Sequence, residues 1–577
     1  MPVADLLARP QPDPPAVQRR LSPPWDRRRL ALRGIAVLFL VLSALAWRDI
    51  GFGVVPLFSG VGDIVRFLGD TLPPKFSEAG YPFSSMLDDA VLTVAMAVVG
   101  TAIAVVLSVP LGFLAARNTT VHPVVRFGAR AVITLCRAMP DLILAIVFRD
   151  AIGIGVLPGV LALGIHSVGM LGKVYADAIE QVPQGPRDAL ASAGAGRLQS
   201  IFTSVLPQAL PSFTSTGLYR LDINLRSSVV LGYVGAGGIG FALEKDLNTL
   251  QFRSALGIVV VMTALILLME LVSALLRGML IGVESRRRAR ASVAERIAAR
   301  IGRAARRAAE RGGPEFDRDR VRRPLTVRRM LRMGIPLLVL TILFLSYLKT
   351  GISAAAVIHS PASVWRTVLL FFPPDFTTAR SDLWSGILQS ASIAVLGTAI
   401  GALIAIPVAL LAARNIARRW VYRVVRVLLV VERSIPELIM AIVFVVAIGP
   451  GPVAGVFALI AGTLGFLAKL VADSLEEVDP GPRDAVRSSG AGAGQEVLTA
   501  VVPPAMPGIV GSVLYMLDIN FRSSTVLGIV GGGGIGFLLN QSVQTLAYRT
   551  TGAIIILTFV IVLAIEQLAG WLRRQLL

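Results

Sequence analysis

The stretch Gly232–Gly240, GYVGAGGIG, contains Gly235, Gly237, Gly238 and Gly240 in the order G-x-G-x-x-G. As a dinucleotide-binding fingerprint this pattern requires a strand before it, a helix opening on its glycines and an acidic residue about 20 positions on. Here it follows an apolar run, residues 205–231, with no alternation of strands and helices around it. The glycines are therefore read as a tight re-entrant turn that caps a membrane helix, where positive φ and close backbone approach favour glycine. A second copy, GIVGGGGIG at 528–536, places Gly531, Gly533, Gly534 and Gly536 at the matching positions. A gating role for both turns is a further expectation.

Composition points the same way. The 577 residues are 54% hydrophobic and only 16% charged, with a mean hydropathy of +0.72, which is too apolar for an ordinary soluble protein. The net charge of +20 is carried mostly by arginines gathered between apolar runs, so it suits cytoplasmic loops and an anionic lipid surface and does not call for nucleic acid. The single cysteine, Cys136, lies within an apolar run and offers neither a disulfide framework nor a cysteine metal site; no metal is expected. Residues 1–30 are polar, Pro-rich and basic without an obvious cleavage site, and are read as a retained cytoplasmic tail.

About 20 apolar residues span the hydrocarbon as a helix. Runs of that length fall at 31–50, 88–115, 127–152, 157–180, 205–231 and 253–281, and again at 331–350, 384–412, 424–448, 453–475, 501–527 and 550–574. The expectation is an all-α polytopic membrane protein of about 12 helices. Its parts are the tail 1–30, a first membrane repeat 31–282, an Arg-rich linker 283–330 and a second membrane repeat 331–577. Arg27 to Arg33, Arg117, Arg126, Arg130 and Arg286 to Arg332 then share one side, so both termini and the linker are expected in the cytoplasm and the glycine turns on the opposite side. The linker is read as a tether lying in solvent or on the membrane surface.

The chain is two copies of one unit. RAMPDLILAIVF at 137–148 returns as RSIPELIMAIVF at 433–444, and the same offset of 296 carries 173–240 onto 469–536 with 38 of 68 positions identical. An even number of spans and a cytoplasmic linker make the two six-helix repeats parallel, related by a pseudo-twofold along the membrane normal. Between the fourth and fifth spans each copy carries a polar loop, EQVPQGPRDALASAGAG and EEVDPGPRDAVRSSGAG. Each reads as a short amphipathic helix opened by Pro186 or Pro482 and ended by Gly194 or Gly490, suited to a groove in a soluble partner.

These loops resemble the Glu-Ala-Ala loop of ATP-binding-cassette importer permeases. Asp188-Ala189-Leu190, Gly194 and Val205-Leu206-Pro207 keep its spacing, as do Asp484-Ala485-Val486, Gly490 and Val501-Val502-Pro503; Asp for Glu and Leu or Val for the second Ala are mild departures. Together with RSIPEL and DINxRSSxVLGxVGxGGIG the chain is similar to phosphonate-uptake permeases, here as two permease copies fused in one chain. The resemblance covers roughly 85–280 and 380–575. It implies a type I importer fold in a bacterial inner membrane, an extracytoplasmic substrate-binding protein and two copies of a separate ATPase subunit. Those subunits would hold ATP and Mg, since this chain has no G-x-x-x-x-G-K-[ST] and no cofactor of its own. The coupling residues implied are Pro186, Arg187, Asp188, Ala189 and Gly194 with Pro482, Arg483, Asp484, Ala485 and Gly490.

Ionisable residues inside spans are costly and face a cavity or a partner. Arg137 and Asp141, and Arg433 and Glu437, stand four apart around a proline. The fifth spans carry Asp222, Asn224, Arg226, Ser227 and Ser228, and Asp518, Asn520, Arg522, Ser523 and Ser524. Internal ion pairing four residues apart is one reading. The other is a translocation pathway in which guanidinium and hydroxyl groups meet phosphoryl oxygens. His166, opposite Gly462 in the repeat, is read as a buried polar residue in a helix contact. The expected substrate is phosphonate or a related phosphorus oxyanion such as phosphate or phosphite. Another small anion remains open, as does a secondary transporter, which would need no docking loops. An enzyme is disfavoured, because His122, His166 and His359 are scattered and no nucleophile-base set accompanies them.

Overall fold

The computed structural model describes residues 27–51, 62, 65–67, 69–77, 81–281, 327–377 and 380–576. The tail and most of the linker expected at 1–30 and 283–330 lie outside the described residues. The first copy comprises α1 (Arg27–Ile50), α2 (Phe83–Ala115), α3 (Pro123–Ala138), α4 (Asp141–Ile152), α5 (Val156–Glu180), α6 (Gly185–Ser192), α7 (Leu206–Leu231), α8 (Ile239–Asn248) and α9 (Phe252–Ile281). The second comprises α10 (Val327–Thr350), α11 (Ala354–Leu370), α12 (Arg380–Ala412), α13 (Arg419–Ser434), α14 (Glu437–Ile448), α15 (Pro452–Glu476), α16 (Pro480–Ser488), α17 (Val502–Leu527), α18 (Ile535–Gln544) and α19 (Tyr548–Leu576). The fold is all-α and is built as two six-span repeats.

The third span departs from the straight helix expected at 127–152. It is α3 and α4, bent by 88°, because Pro140 cannot continue the α3 ladder and starts a new helix instead. The same break occurs at Pro436, between α13 and α14. Arg137–Asp141 and Arg433–Glu437 are consequently not one-turn neighbours on a single helix, as their spacing suggested; each pair straddles a corner. The corner of the first copy rests on α5 at Gly169, where an added Cβ would come 2.4 Å from the Arg137 backbone nitrogen. In lipid, where apolar contact between helices gains nothing over tails, close backbone approach of this kind is a main source of helix association.

α2 packs along α5, and α12 along α15, through small residues on the facing sides. Gly100 meets Leu163 and Val160, and Gly397 meets Leu459. The first span of each copy, however, packs on the opposite copy. α1 lies on α12, with Asp49 accepting a 2.8 Å hydrogen bond from Ser392, and α10 lies on α2, with Lys349 paired to Asp88. α11, a helix not anticipated from the sequence, covers α4. Buried side chains of α4 join Phe371, Leu383, Ile387 and Ile529 of the second copy in one apolar cluster, while Ile439 of α14 packs among Met86, Val229 and Ile258 of the first. The two copies thus share one core.

Candidate functional site

The polar loop after α5 opens on Gly185 and Pro186, which need no intrahelical partner for the missing proline N–H, with Asp188 in the first turn. It ends at Gly194 with φ +82°, and its counterpart α16 ends at Gly490 with φ +85°. No residue of α6 or α16 is buried; Asp188, Ala189, Asp484 and Ala485 are exposed, while Arg187 and Arg483 are half-buried. Their tethers differ. Arg187 and Arg197 donate to the carbonyls of Asn118 and Thr120 in the α2–α3 loop, whereas Arg483 pairs with Glu496 inside its own loop. Each loop enters the fifth span through a π turn, Ile201–Val205 or Val497–Val501, which accommodates the proline at 207 or 503.

At the far end of the fifth span the glycine stretch forms another π turn, Gly232–Ala236, before α8 leaves at 53°. Gly235 and Gly531 take φ of +98° and +95°. At Gly240 and Gly536 a Cβ would lie 2.0 Å from the Val229 carbonyl oxygen and 1.9 Å from that of Thr525, so the helices can touch only if these residues lack side chains. Gly237, Gly238, Gly533 and Gly534 complete the turns at positive φ. Thr93 and Ser390 accept hydrogen bonds from the Ile239 and Ile535 N–H at 2.9 Å, pinning each turn to the second span. Arg149, paired with Asp150 at 3.0 Å, also donates to the Val234 carbonyl; the second copy has Val445 there, and nothing in the repeat marked this arginine.

Between these ends lie the intramembrane polar groups. Arg226 pairs with Asp222 at 3.4 Å and Arg522 with Asp518 at 2.9 Å, one turn apart on α7 and α17. Ser228 and Ser524 donate to carbonyls of their own helices and are fully buried. Ser227 is half-buried, and the Glu437 side chain lies against Gly462. The Arg433 guanidinium sits 5.7 Å from the centre of the Phe466 ring. Asp141 accepts from the Leu142 N–H at 3.0 Å.

Asn224 and Asn520 are both completely buried. Asn520 donates to Thr398 and Thr463, each at 2.8 Å, and so joins α17 to α12 and α15. Asn224 donates to Thr101 at 2.9 Å and accepts from Ser167 at 3.0 Å, and Ser167 accepts from Arg220 Nε at 2.8 Å. Arg220 is 4% exposed. Sequence reading passed over it because the repeat places Met516 opposite; an unmatched charge in an otherwise matched span was the available signal. His166 bonds through Nδ1 to the Met139 carbonyl at 2.9 Å, bracing the corner of the third span, and lies within electrostatic range of Arg220, Asp141 and the second copy's Arg522.

The family described as binding-protein-dependent transport system inner membrane component matches the chain twice, over residues 108–281 and 405–577. The phosphate-import permease protein of Mycolicibacterium smegmatis is 45% identical over 535 residues, covering 92% of each chain. The phosphite transport system permease protein of Stutzerimonas stutzeri is 41% identical over 265 residues, 44% of this chain and 95% of that one. An inward-facing structure of the MetNI methionine ABC transporter aligns over 34% of this chain and 96% of its own at 26% identity, with a TM-score of 0.31.

Proposed function

Since the chain belongs to the family of binding-protein-dependent transport system inner membrane components, we propose that it is the fused, two-copy permease of an importer for phosphorus oxyanions. The full-length similarity to a phosphate-import permease carries this reading, and the half-length similarity to a phosphite permease fits one repeat of it. The protein is a multi-pass inner-membrane transport subunit. Both termini and the exposed helices α6 and α16 face the cytoplasm, where each docks on one of two ATPase subunits that bind ATP and Mg. An extracytoplasmic binding protein delivers the anion at the glycine-turn face.

Exposure supports the coupling assignment: two short helices at matching places in the repeat, with no buried residue, are rigid handles for a partner. The pathway runs between the copies, past the corners at Pro140 and Pro436 and the pairs Asp222–Arg226 and Asp518–Arg522. The polar groups from Arg137 to Ser228 and from Arg433 to Ser524 named above border it, and the two glycine turns form its outer gate. Binding within it is weak, because an anion held tightly in transit is not released. The test is reconstitution of the chain with its ATPase and binding protein in liposomes, followed by uptake of labelled phosphate and methylphosphonate. Accumulation that requires both ATP and the binding protein supports the reading; accumulation independent of them indicates a secondary transporter.

A further inference from the structure

Arg220 stands out as a cation without a matching anion. Its guanidinium is 4% exposed within a membrane helix, its Nε donates to Ser167, and its second terminal nitrogen is buried without a hydrogen-bond partner. Among the described residues no carboxylate lies within ion-pair distance of it; Asp141 acts on it only at longer range. A buried, half-satisfied guanidinium is destabilising by itself.

Helix packing does not require it. In the second copy Asn520 bridges α12 and α15 directly through Thr398 and Thr463, with Met516 in the arginine's place. In the first copy the same asparagine and hydroxyl are redirected: Thr101, Asn224 and Ser167 form a chain whose last member holds the arginine by Nε. That chain holds the guanidinium by Nε while leaving its second terminal nitrogen to another partner. The planar fork of arginine matches two oxygens of a tetrahedral oxyanion.

We infer that Arg220, oriented by Ser167 and Asn224, is an anion-binding station of the translocation pathway that exists in the first copy only, and that its ligand is the transported phosphorus oxyanion. This rests on the importer reading above. Asp141 limits the affinity, since a nearby carboxylate opposes a second negative charge. Arg220 contacts the anion, and Ser167 and Asn224 are positioning residues.

The experiment uses the complete transporter in liposomes, with phosphate and methylphosphonate as probes. Arg220→Gln and Arg220→Met, the latter installing the second copy's residue, are compared with Arg220→Lys, each first checked for assembly with the ATPase subunit. In assembled neutral variants the maximal uptake rate is expected to fall about tenfold or more, the scale of one charge-assisted hydrogen bond lost. Moving the cation across the pseudo-axis, Arg220→Met with Met516→Arg, is expected to recover part of the rate, which a purely structural arginine would not do. Uptake within twofold of wild type in an assembled neutral variant overturns the inference. So does a failure of both neutral variants to assemble while Arg220→Lys assembles and transports at the wild-type rate. If wild-type transporter accumulates neither anion, the importer reading fails instead.

Discussion

Around Asn520 the buried network is neutral and joins three helices directly, whereas around Asn224 it is longer and terminates in a guanidinium. The same contrast holds elsewhere. The polar loop after α5 is tied by arginines to backbone carbonyls of the α2–α3 loop, and that after α15 by an ion pair within itself. The corner at Pro140 is braced by His166, while at the corner of Pro436 Glu437 lies over Gly462. Backbone geometry is largely common to the copies; side-chain chemistry at these places is not. A fused chain permits this divergence, since an identical pair of subunits would carry every charge twice.

The largest expected effect breaks both copies at once. Reversing Asp188 and Asp484 to Lys places positive charge on each exposed short helix, against the expected partner contact and, at Asp188 in the first turn, also against the helix dipole. Co-purification of the ATPase subunit and ligand-stimulated hydrolysis should both fall by about tenfold or more. Each single reversal should retain part of the coupling, and equal losses would show that the differing tethers of the two loops do not matter.

Next in size are the one-turn ion pairs present in both copies. Removing one arginine strands a buried carboxylate, so the informative variants neutralise both members: Arg226→Gln with Asp222→Asn, and Arg522→Gln with Asp518→Asn. Uptake should fall severalfold in each with assembly intact, and by similar factors, because the geometry is shared. Arg433→Gln should cost less, its guanidinium being seated on the Phe466 ring. Restored uptake in the double variants would mark these arginines as structural partners only.

Asn224→Ala and Asn520→Ala should each lower thermal stability in detergent by a modest amount, about 1 kcal/mol on the scale of interhelical hydrogen bonds in membranes. Uptake separates them. Asn224→Ala releases Ser167 and with it the orientation of Arg220, so transport should drop beyond what stability explains, while Asn520→Ala should transport in proportion to folded protein. The smallest effect is expected from cutting the chain between Glu284 and Arg323 and co-expressing the parts. Because α1 packs on α12 and α10 on α2, each half completes the other without a covalent link, and uptake should persist. Loss of transport from stably inserted halves would make the linker a working part.

The repeat, the span count, the glycine turns and the two short polar helices were legible because each has a local cause: apolar length, glycine where φ is positive, proline at a helix start. The breaks in the two third spans were half legible. Pro140 and Pro436 were visible in the sequence, yet hydropathy runs through both unbroken, so one straight span was expected. Arg220 and Arg149 were not legible because neither recurs in the second copy, which has Met516 and Val445 in their places. α11 was missed because its apolar run continues that of α10 across a short break.

Sequence by itself determined a twofold repeat of membrane helices with its polar loops, since hydrocarbon imposes a length and a polarity rule on every span independently of its neighbours. It also marked the family, because the docking loops and the glycine turn are contiguous motifs. Only the tertiary structure decided which span packs on which copy, that Arg137 and Asp141 turn a corner, and that Asn224, Ser167 and Arg220 form one chain. Those depend on residues 53 or more positions apart meeting across helices, and no local rule of hydropathy or capping carries that information.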